Sequence, residues 1–183
     1  MRVRTPARTS RFAAVAAAAA ALLAVALPGT ADAAPARPPV LVLKAGQALP
    51  GAAATVHAAF PNCTVGTPNA NIALTPGFTM TTGQTFCPGN YELALQGDGN
   101  LVVYGPTGAL WWSGTAIGSS TSAPMQTDGN FVVYSGTTPL WNAGTWGHPG
   151  AYVCIQLDGN LVVYAPNGGN YTCSGPYLWA SRT

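Results

Sequence analysis

The chain has 183 residues with 7 Lys and Arg against 5 Asp and Glu, and a formal net charge of +2. Only 7% of it is charged, so there is no basic patch to hold a nucleic-acid backbone, and nucleic acid is excluded as a partner. Gly and Pro number 22 and 16, sustained helical periodicity is missing, and the composition suits short strands joined by tight turns.

The N-terminus reads as a targeting segment. Arg2, Arg4, Arg8 and Arg11 precede an Ala/Leu/Val run from Phe12 to Leu27, followed by Pro28, Gly29 and the small-residue triplet Ala31-Asp32-Ala33. Basic, apolar, then small-x-small is the layout of a secretory signal peptide, assigned to residues 1–33 with cleavage after Ala33 or Ala34. An uncleaved anchor is the alternative, but the run is shorter than the roughly 20 residues a bilayer requires. No second apolar run is long enough for a transmembrane helix, so no membrane span is expected and the protein is placed outside the cell. Beyond the leader, Arg37, Lys44 and Arg182 stand against Glu92, Asp98, Asp128 and Asp158, a net of −1.

The remaining length suits one domain with a small extension. The extension, 34–73, contains Val40–Leu43, which looks like a strand, and Lys44–Leu49, which echoes Thr82–Phe86. It either adds strands to the domain or forms an arm held by a disulfide. Four cysteines in an exported chain should be oxidised. Of three pairings, Cys63–Cys87 and Cys154–Cys173 are favoured because each closes a local loop. The chain has no CxxC spacing and only two histidines, His57 and His148, so no metal site and no cofactor are expected.

Three segments then align without gaps: Leu95–Tyr104, Met125–Tyr134 and Ile155–Tyr164, repeating every thirty residues. Each reads Gln-x-Asp-Gly-Asn-x-Val-Val-Tyr. A second motif trails each copy, at Leu110–Thr115, Leu140–Thr145 and Leu178–Thr183. The third arrives late, after an insertion containing Asn167, Gly168, Gly169, Asn170 and Cys173. Each unit is therefore a hairpin, a turn and a Trp-bearing strand, and such repetition points to a symmetric architecture.

Asp-Gly between β-rich runs is a strong hairpin signal, best met here by a three-residue loop with the Gly left-handed. Gln96 then opposes Asn100 and Leu95 opposes Leu101. Cross-strand partners share a face, so one face carries Gln96, Asn100, Val102 and Tyr104, and the other Leu95, Leu101 and Val103. The second face, with Met125, Phe131, Val133, Ile155, Leu161 and Val163 in the other copies, should be core. A two-residue loop would separate Gln96 from Asn100. Three such sheets, each too small to bury its apolar face alone, can pack around a shared axis filled by Trp111 or Trp112, Trp141 and Trp179.

The outer face joins a carboxylate, two amides and a phenol, which together donate and accept hydrogen bonds as sugar hydroxyls do. A Val among them can lie against sugar C–H groups. Asp and Asn are also ordinary turn residues, and Tyr and Val ordinary strand residues. Gln, not a favoured strand residue, recurs at one place three times, and three of the four acidic residues beyond the leader occupy one motif position.

Gln-x-Asp-x-Asn-x-Val-x-Tyr, three times, each followed by Leu-Trp-x-Ser/Ala-x-Thr, resembles the bulb-type mannose-binding lectin family. The resemblance covers about 74–183, the expected lectin domain. It implies an all-β fold, β-prism II, with three antiparallel sheets in pseudo-threefold symmetry. It also implies that Asp98 and Asn100 bind the mannose 2-hydroxyl, Gln96 the 3-hydroxyl and Tyr104 the 4-hydroxyl, with Val102 against the ring carbons. The same roles carry to Gln126, Asp128, Asn130, Val132 and Tyr134, and to Gln156, Asp158, Asn160, Val162 and Tyr164. The expected partners are mannose-containing glycans or polysaccharides. A homodimer by exchange of C-terminal strands is also implied, although the chain stops just after the third Trp motif. The long loop from Tyr164 to Trp179 either lengthens the third pocket or partly covers it.

Two other classes fit less well. An antimicrobial toxin on the same fold, or a protein-binding module keeping the motif as a relic, need not retain all three copies intact. Catalysis is not expected: no Ser–His–Asp or Cys–His set is legible, and a glycosidase needs two carboxyls about 5–10 Å apart where each motif offers one.

Overall fold

The computed structural model describes residues 36–50, 60, 63–118 and 120–183. The leader expected at 1–33 and His57 lie outside these residues. Among the described residues the strands, in chain order, are β1 (Val40–Leu43), β2 (Val65–Thr67), β3 (Asn71–Leu74), β4 (Thr79–Thr81), β5 (Thr85–Pro88), β6 (Glu92–Leu95) and β7 (Leu101–Gly105). There follow β8 (Gly108–Trp112), β9 (Thr121–Pro124), β10 (Val132–Ser135), β11 (Thr138–Asn142), β12 (Tyr152–Ile155), β13 (Leu161–Tyr164) and β14 (Tyr177–Ala180). No helix among the described residues is long and apolar enough to cross a membrane.

Three sheets form, ordered β1-β3-β12-β13-β14, β11-β10-β9-β4 and β2-β5-β6-β7-β8. Each contains one repeat: a hairpin (β6–β7, β9–β10, β12–β13) and its Trp strand (β8, β11, β14). The segment 34–73 enters the same body. Its β1 runs parallel to β3 on one sheet, and its β2 runs parallel to β5 on another. The boundary drawn at 73/74 falls inside β3, which pairs antiparallel with β12 of the third repeat.

The expected register is present. Leu95 opposes Leu101 and Leu93 opposes Val103 across β6–β7. Ile155 opposes Leu161 across β12–β13, and Met125 bridges Phe131. The side chains of these residues are fully buried in one central cluster. Full burial of a Leu, Ile or Phe contributes about 1.5–3 kcal/mol, and a sheet of so few strands needs such a partner face to persist. The sequence left Trp111 and Trp112 undecided for the core. Trp111 takes the place, with its ring 5.2 Å from Trp141 and 5.4 Å from Trp179, and those two 5.3 Å apart, all edge-to-face. Three tryptophans, one per sheet, thus meet around the prism axis, with each pair in the geometry favoured by the ring quadrupole.

Both disulfides pair as the local-loop argument expects: Cys63–Cys87 and Cys154–Cys173, separated by 24 and 19 residues. Loops of this length contribute about 3 kcal/mol each in the chain-entropy picture. The first ties the entry to β2 onto β5, so the extension both adds strands and is stapled. The second lies on the outer face of its sheet, where Cys154, Cys173, Tyr152, Val162, Tyr164 and Ala73 form a second, smaller apolar cluster.

Candidate sugar-binding face

Each hairpin closes through a three-residue loop. Gln96 donates its N–H to the Asn100 carbonyl at 2.9 Å, and Gly99 donates back to Gln96 at 3.0 Å; Gln126 and Gln156 do the same in their copies. Gly99, Gly129 and Gly159 have φ of 93°, 97° and 84°, the left-handed region in which a Cβ is strained. At Gly129 a Cβ would also strike the His148 carbonyl oxygen, and at Gly159 the Tyr91 ring. At these two positions the glycine is required by close packing as well as by the turn.

The loop aims the motif side chains outward, as the three-residue reading requires. Asp98 Oδ1 accepts the Asn100 N–H at 2.9 Å, and Asp128 and Asp158 repeat this at 3.0 Å. That bond fixes the carboxylate and leaves its second oxygen on an exposed side chain. Asn100 Oδ1 accepts from Ser113 Oγ and from the Thr115 N–H, both at 3.1 Å. Asn130 accepts from the Thr145 N–H, and Asn160 from Ser181 Oγ and the Arg182 N–H. With its carbonyl taken, each Asn presents its amide N–H groups. Gln96 Nε2 bonds the Tyr104 hydroxyl at 2.7 Å, Gln126 that of Tyr134 at 3.1 Å and Gln156 that of Tyr164 at 2.9 Å. Gln then offers its carbonyl and Tyr its hydroxyl hydrogen. Each copy therefore presents two acceptors, from Asp and Gln, and two donors, from Asn and Tyr. Val102, Val132 and Val162 lie between them on the same face, 2–3% exposed, as a floor and not as projecting contacts.

The trailing motif does more than supply tryptophan, and this was missed from sequence. Thr115, Thr145 and Thr183 donate Oγ1 to the carbonyls of Gly99, Gly129 and Gly159 at 2.7–2.8 Å. Ser113 and Ser181 hold Asn side chains as described. The signal was present as a Thr closing each trailing motif, 16 residues after the hairpin Gly in the first two copies and 24 in the third. His148 is structural: its N–H donates to the Asp128 carbonyl at 3.0 Å and braces that turn.

The copies are not equivalent. The residue opposite the motif Tyr is Glu92 in the first, Ser122 in the second and Tyr152 in the third. Burial raises the Glu92 carboxyl above its ordinary range. In the third copy the loop after β13 packs back on the site, with Tyr152 stacked on Tyr164 at 5.6 Å and meeting Tyr171 edge-on at 5.2 Å. Asn167 reaches the Tyr152 hydroxyl at 3.1 Å, and Gln156 Nε2 also donates to the Cys173 carbonyl at 3.0 Å. Tyr164 is only 8% exposed. Burial raises its pKa, the Gln156 bond opposes this, and Tyr152 and Asp158 add to it. Gln156 and Asp158 border a cleft of about 270 Å³ walled by Arg37, Thr172, Cys173 and Ser174, where Arg37 donates to Ser174 Oγ at 2.9 Å. The long loop thus both deepens the third site and covers part of it. Sequence reasoning did not bring Arg37 there, because only tertiary pairing of the extension does so.

Among the described residues one group, Cys63, Cys87 and Glu92, has the spacing of metal ligands. Its two sulfurs are joined in a disulfide and offer no thiolates.

No protein-family model and no curated protein matches the chain. Solved structures do. A monocot mannose-binding lectin from Gastrodia elata, described as monomeric, is 35% identical, with 61% of this chain and 95% of that one covered at a TM-score of 0.53. The mannose-specific agglutinin of snowdrop (Galanthus nivalis) bulbs, solved with methyl α-D-mannoside, is 34% identical over 56% of this chain and 98% of that one, at 0.50. The Polygonatum cyrtonema lectin, solved with a monomannoside, is 30% identical over 57% and 97%, at 0.50. These similar structures are lectins. With a β-prism of three sheets around three tryptophans and near-complete coverage of these relatives at 30–35% identity, the chain belongs to the bulb-type mannose-binding lectin family.

Proposed function

We propose that the protein is a secreted lectin that binds mannose-type glycans at up to three sites without a metal ion. The observation that carries this reading is the threefold recurrence of one hydrogen-bonding set. Asp and Gln accept, Asn and Tyr donate, and a buried Val lies between them. Two neighbouring hydroxyls of one neutral hexose, each donating once and accepting once, match two acceptors and two donors. Every polar group that would touch the sugar is an ordinary side chain, and one carboxylate per site is too few to chelate a cation tightly. The mannosides bound to the snowdrop and Polygonatum cyrtonema lectins support mannose as the sugar.

In this reading 1–33 is a secretory leader, 34–73 an extension joined to the prism and 74–183 the lectin domain. The two disulfides suit an oxidising, extracellular destination. Multivalency needs no oligomer, since all three motifs lie on one chain. A shallow single site binds at about millimolar strength, near 4 kcal/mol, and three acting together on a repetitive glycan raise avidity by about 10²–10⁴ where geometry allows. The test is retention on immobilised mannan in the presence of a chelator. Asp98→Asn, Asp128→Asn and Asp158→Asn combined should abolish retention; unchanged retention would overturn the proposal.

A further inference from the structure

Trp112 is not accounted for by the symmetry of the fold. Its neighbour Trp111 fills the axial place that Trp141 and Trp179 fill in the other copies. Trp112 opposes Val102 across β7–β8, and directly opposed residues project from the same face. The indole therefore stands on the outer face, one strand over from the floor of the first motif, and is 59% exposed. Its backbone is held on both sides, by Trp111 in the core and by Ser113, whose hydroxyl bonds Asn100 of the motif at 3.1 Å. The corresponding positions are Asn142, opposite Val132, and Ala180, opposite Val162. Asn142 turns its carbonyl to the Gly144 N–H. The fold thus accepts a small or polar residue here, and at this position the first copy alone carries a large aromatic ring turned to water.

The geometry points to Trp112 as a stacking subsite for a second hexose ring of an oligosaccharide whose first ring occupies the Gln96, Asp98, Asn100 and Tyr104 set. The inference rests on the sugar-binding reading of that set and deepens it. A pyranose has an apolar face of C–H groups carrying slight positive charge, and the face of an indole carries the complementary negative quadrupole. A rigid aromatic already held at a strand edge loses little entropy on binding. The first site therefore selects disaccharides and longer glycans over a monosaccharide, and the second and third sites lack this preference at the same place.

The experiment uses the Asp128→Asn/Asp158→Asn protein, in which the first site alone remains, and compares it with the same protein carrying Trp112→Asn, the residue of the second copy. Both are titrated with methyl α-mannoside and with the α-linked mannobioses by calorimetry and by tryptophan fluorescence. The expected result is a loss of about tenfold in affinity for at least one mannobiose, together with loss of its fluorescence shift, while methyl α-mannoside affinity is retained. An unchanged ratio of mannobiose to mannoside affinity overturns the subsite, as does an equal loss of both sugars. Absence of all binding before Trp112 is changed would instead overturn the sugar reading of the motif, and the subsite with it.

Discussion

Gln156 donates from Nε2 to the Cys173 carbonyl at 3.0 Å while also bonding the Tyr164 hydroxyl. A carbonyl only accepts, so the amide orientation is fixed and both of its N–H groups are used. Gln96 and Gln126 each keep one N–H in reserve. The same loop leaves Tyr164, a donor of the third set, only 8% exposed, so the third site is expected to bind methyl α-mannoside more weakly than the first, by about tenfold for one neutral hydrogen bond. Nuclear magnetic resonance titration of Asp98→Asn/Asp128→Asn beside Asp128→Asn/Asp158→Asn checks the ranking. Equal affinities would show that the loop leaves the site unimpaired.

Asp98→Asn removes the charge from the one carboxylate of the first site while keeping an oxygen for the Asn100 N–H. Stability should stay within about 0.5 kcal/mol of the parent. A hydrogen bond to a charged acceptor contributes about 1.5–3 kcal/mol, so binding at that site should fall at least tenfold. Calorimetry should then count one site fewer.

Trp111 and Trp112 are neighbours with opposite consequences. Trp111→Ala empties one third of the axial cluster and should destabilise by about 3 kcal/mol. Trp112→Ala removes an exposed side chain and should stay within about 0.5 kcal/mol. Urea unfolding of the two variants reads the contrast directly.

Thr115→Val keeps the shape of a buried side chain but deletes the donor to the Gly99 carbonyl. Leaving the buried Gly99 carbonyl with only the long 3.5 Å contact from Thr121 Oγ1 costs about 1–3 kcal/mol. The Asp98 turn should loosen with it, seen as faster amide exchange at Gly99 and weaker mannoside binding at the first site only.

Glu92 sets a pH dependence. Its folded pKa is raised by burial, so in the window between the unfolded and folded values the native state holds more protons. Stability then falls as pH rises through that window and stays lower above it. Glu92→Gln should flatten this part of the curve and raise stability at neutral pH. A parent and variant with parallel curves from acid to neutral pH would rule the effect out.

Much of this was legible from the repeat. Two periodicities, thirty residues along the chain and two along each strand, led to the prism, the loop length and the inward set Leu95, Leu101 and Val103. Both disulfides followed from loop closure. Trp111 and Trp112 could not be separated, because adjacent residues on a short edge strand face opposite ways and either register satisfies the pattern. Arg37 and Asn71 reach the third copy only through the pairing of β1 with β3 and of β3 with β12, which no local signal announces. The role of Thr115, Thr145 and Thr183 lies between these cases: their recurrence was visible, and their target, a carbonyl sixteen or more residues back, was not.

The pairing of β3 with β12 also constrains the order of events in folding. Asn71 accepts the Leu157 N–H across 86 residues of sequence, and that contact joins the start of the prism to its last repeat. Contacts so distant slow folding, because the loop between them must be ordered before they form. During synthesis the first two repeats emerge with an unmatched strand edge and with Trp111 and Trp141 lacking their third partner. Completion waits for β12 to β14, so the chain is exposed to aggregation until β14 is made. The pairing of β3 with β12 is thus also what brings Asn71 and Arg37 to the cleft beside Gln156 and Asp158.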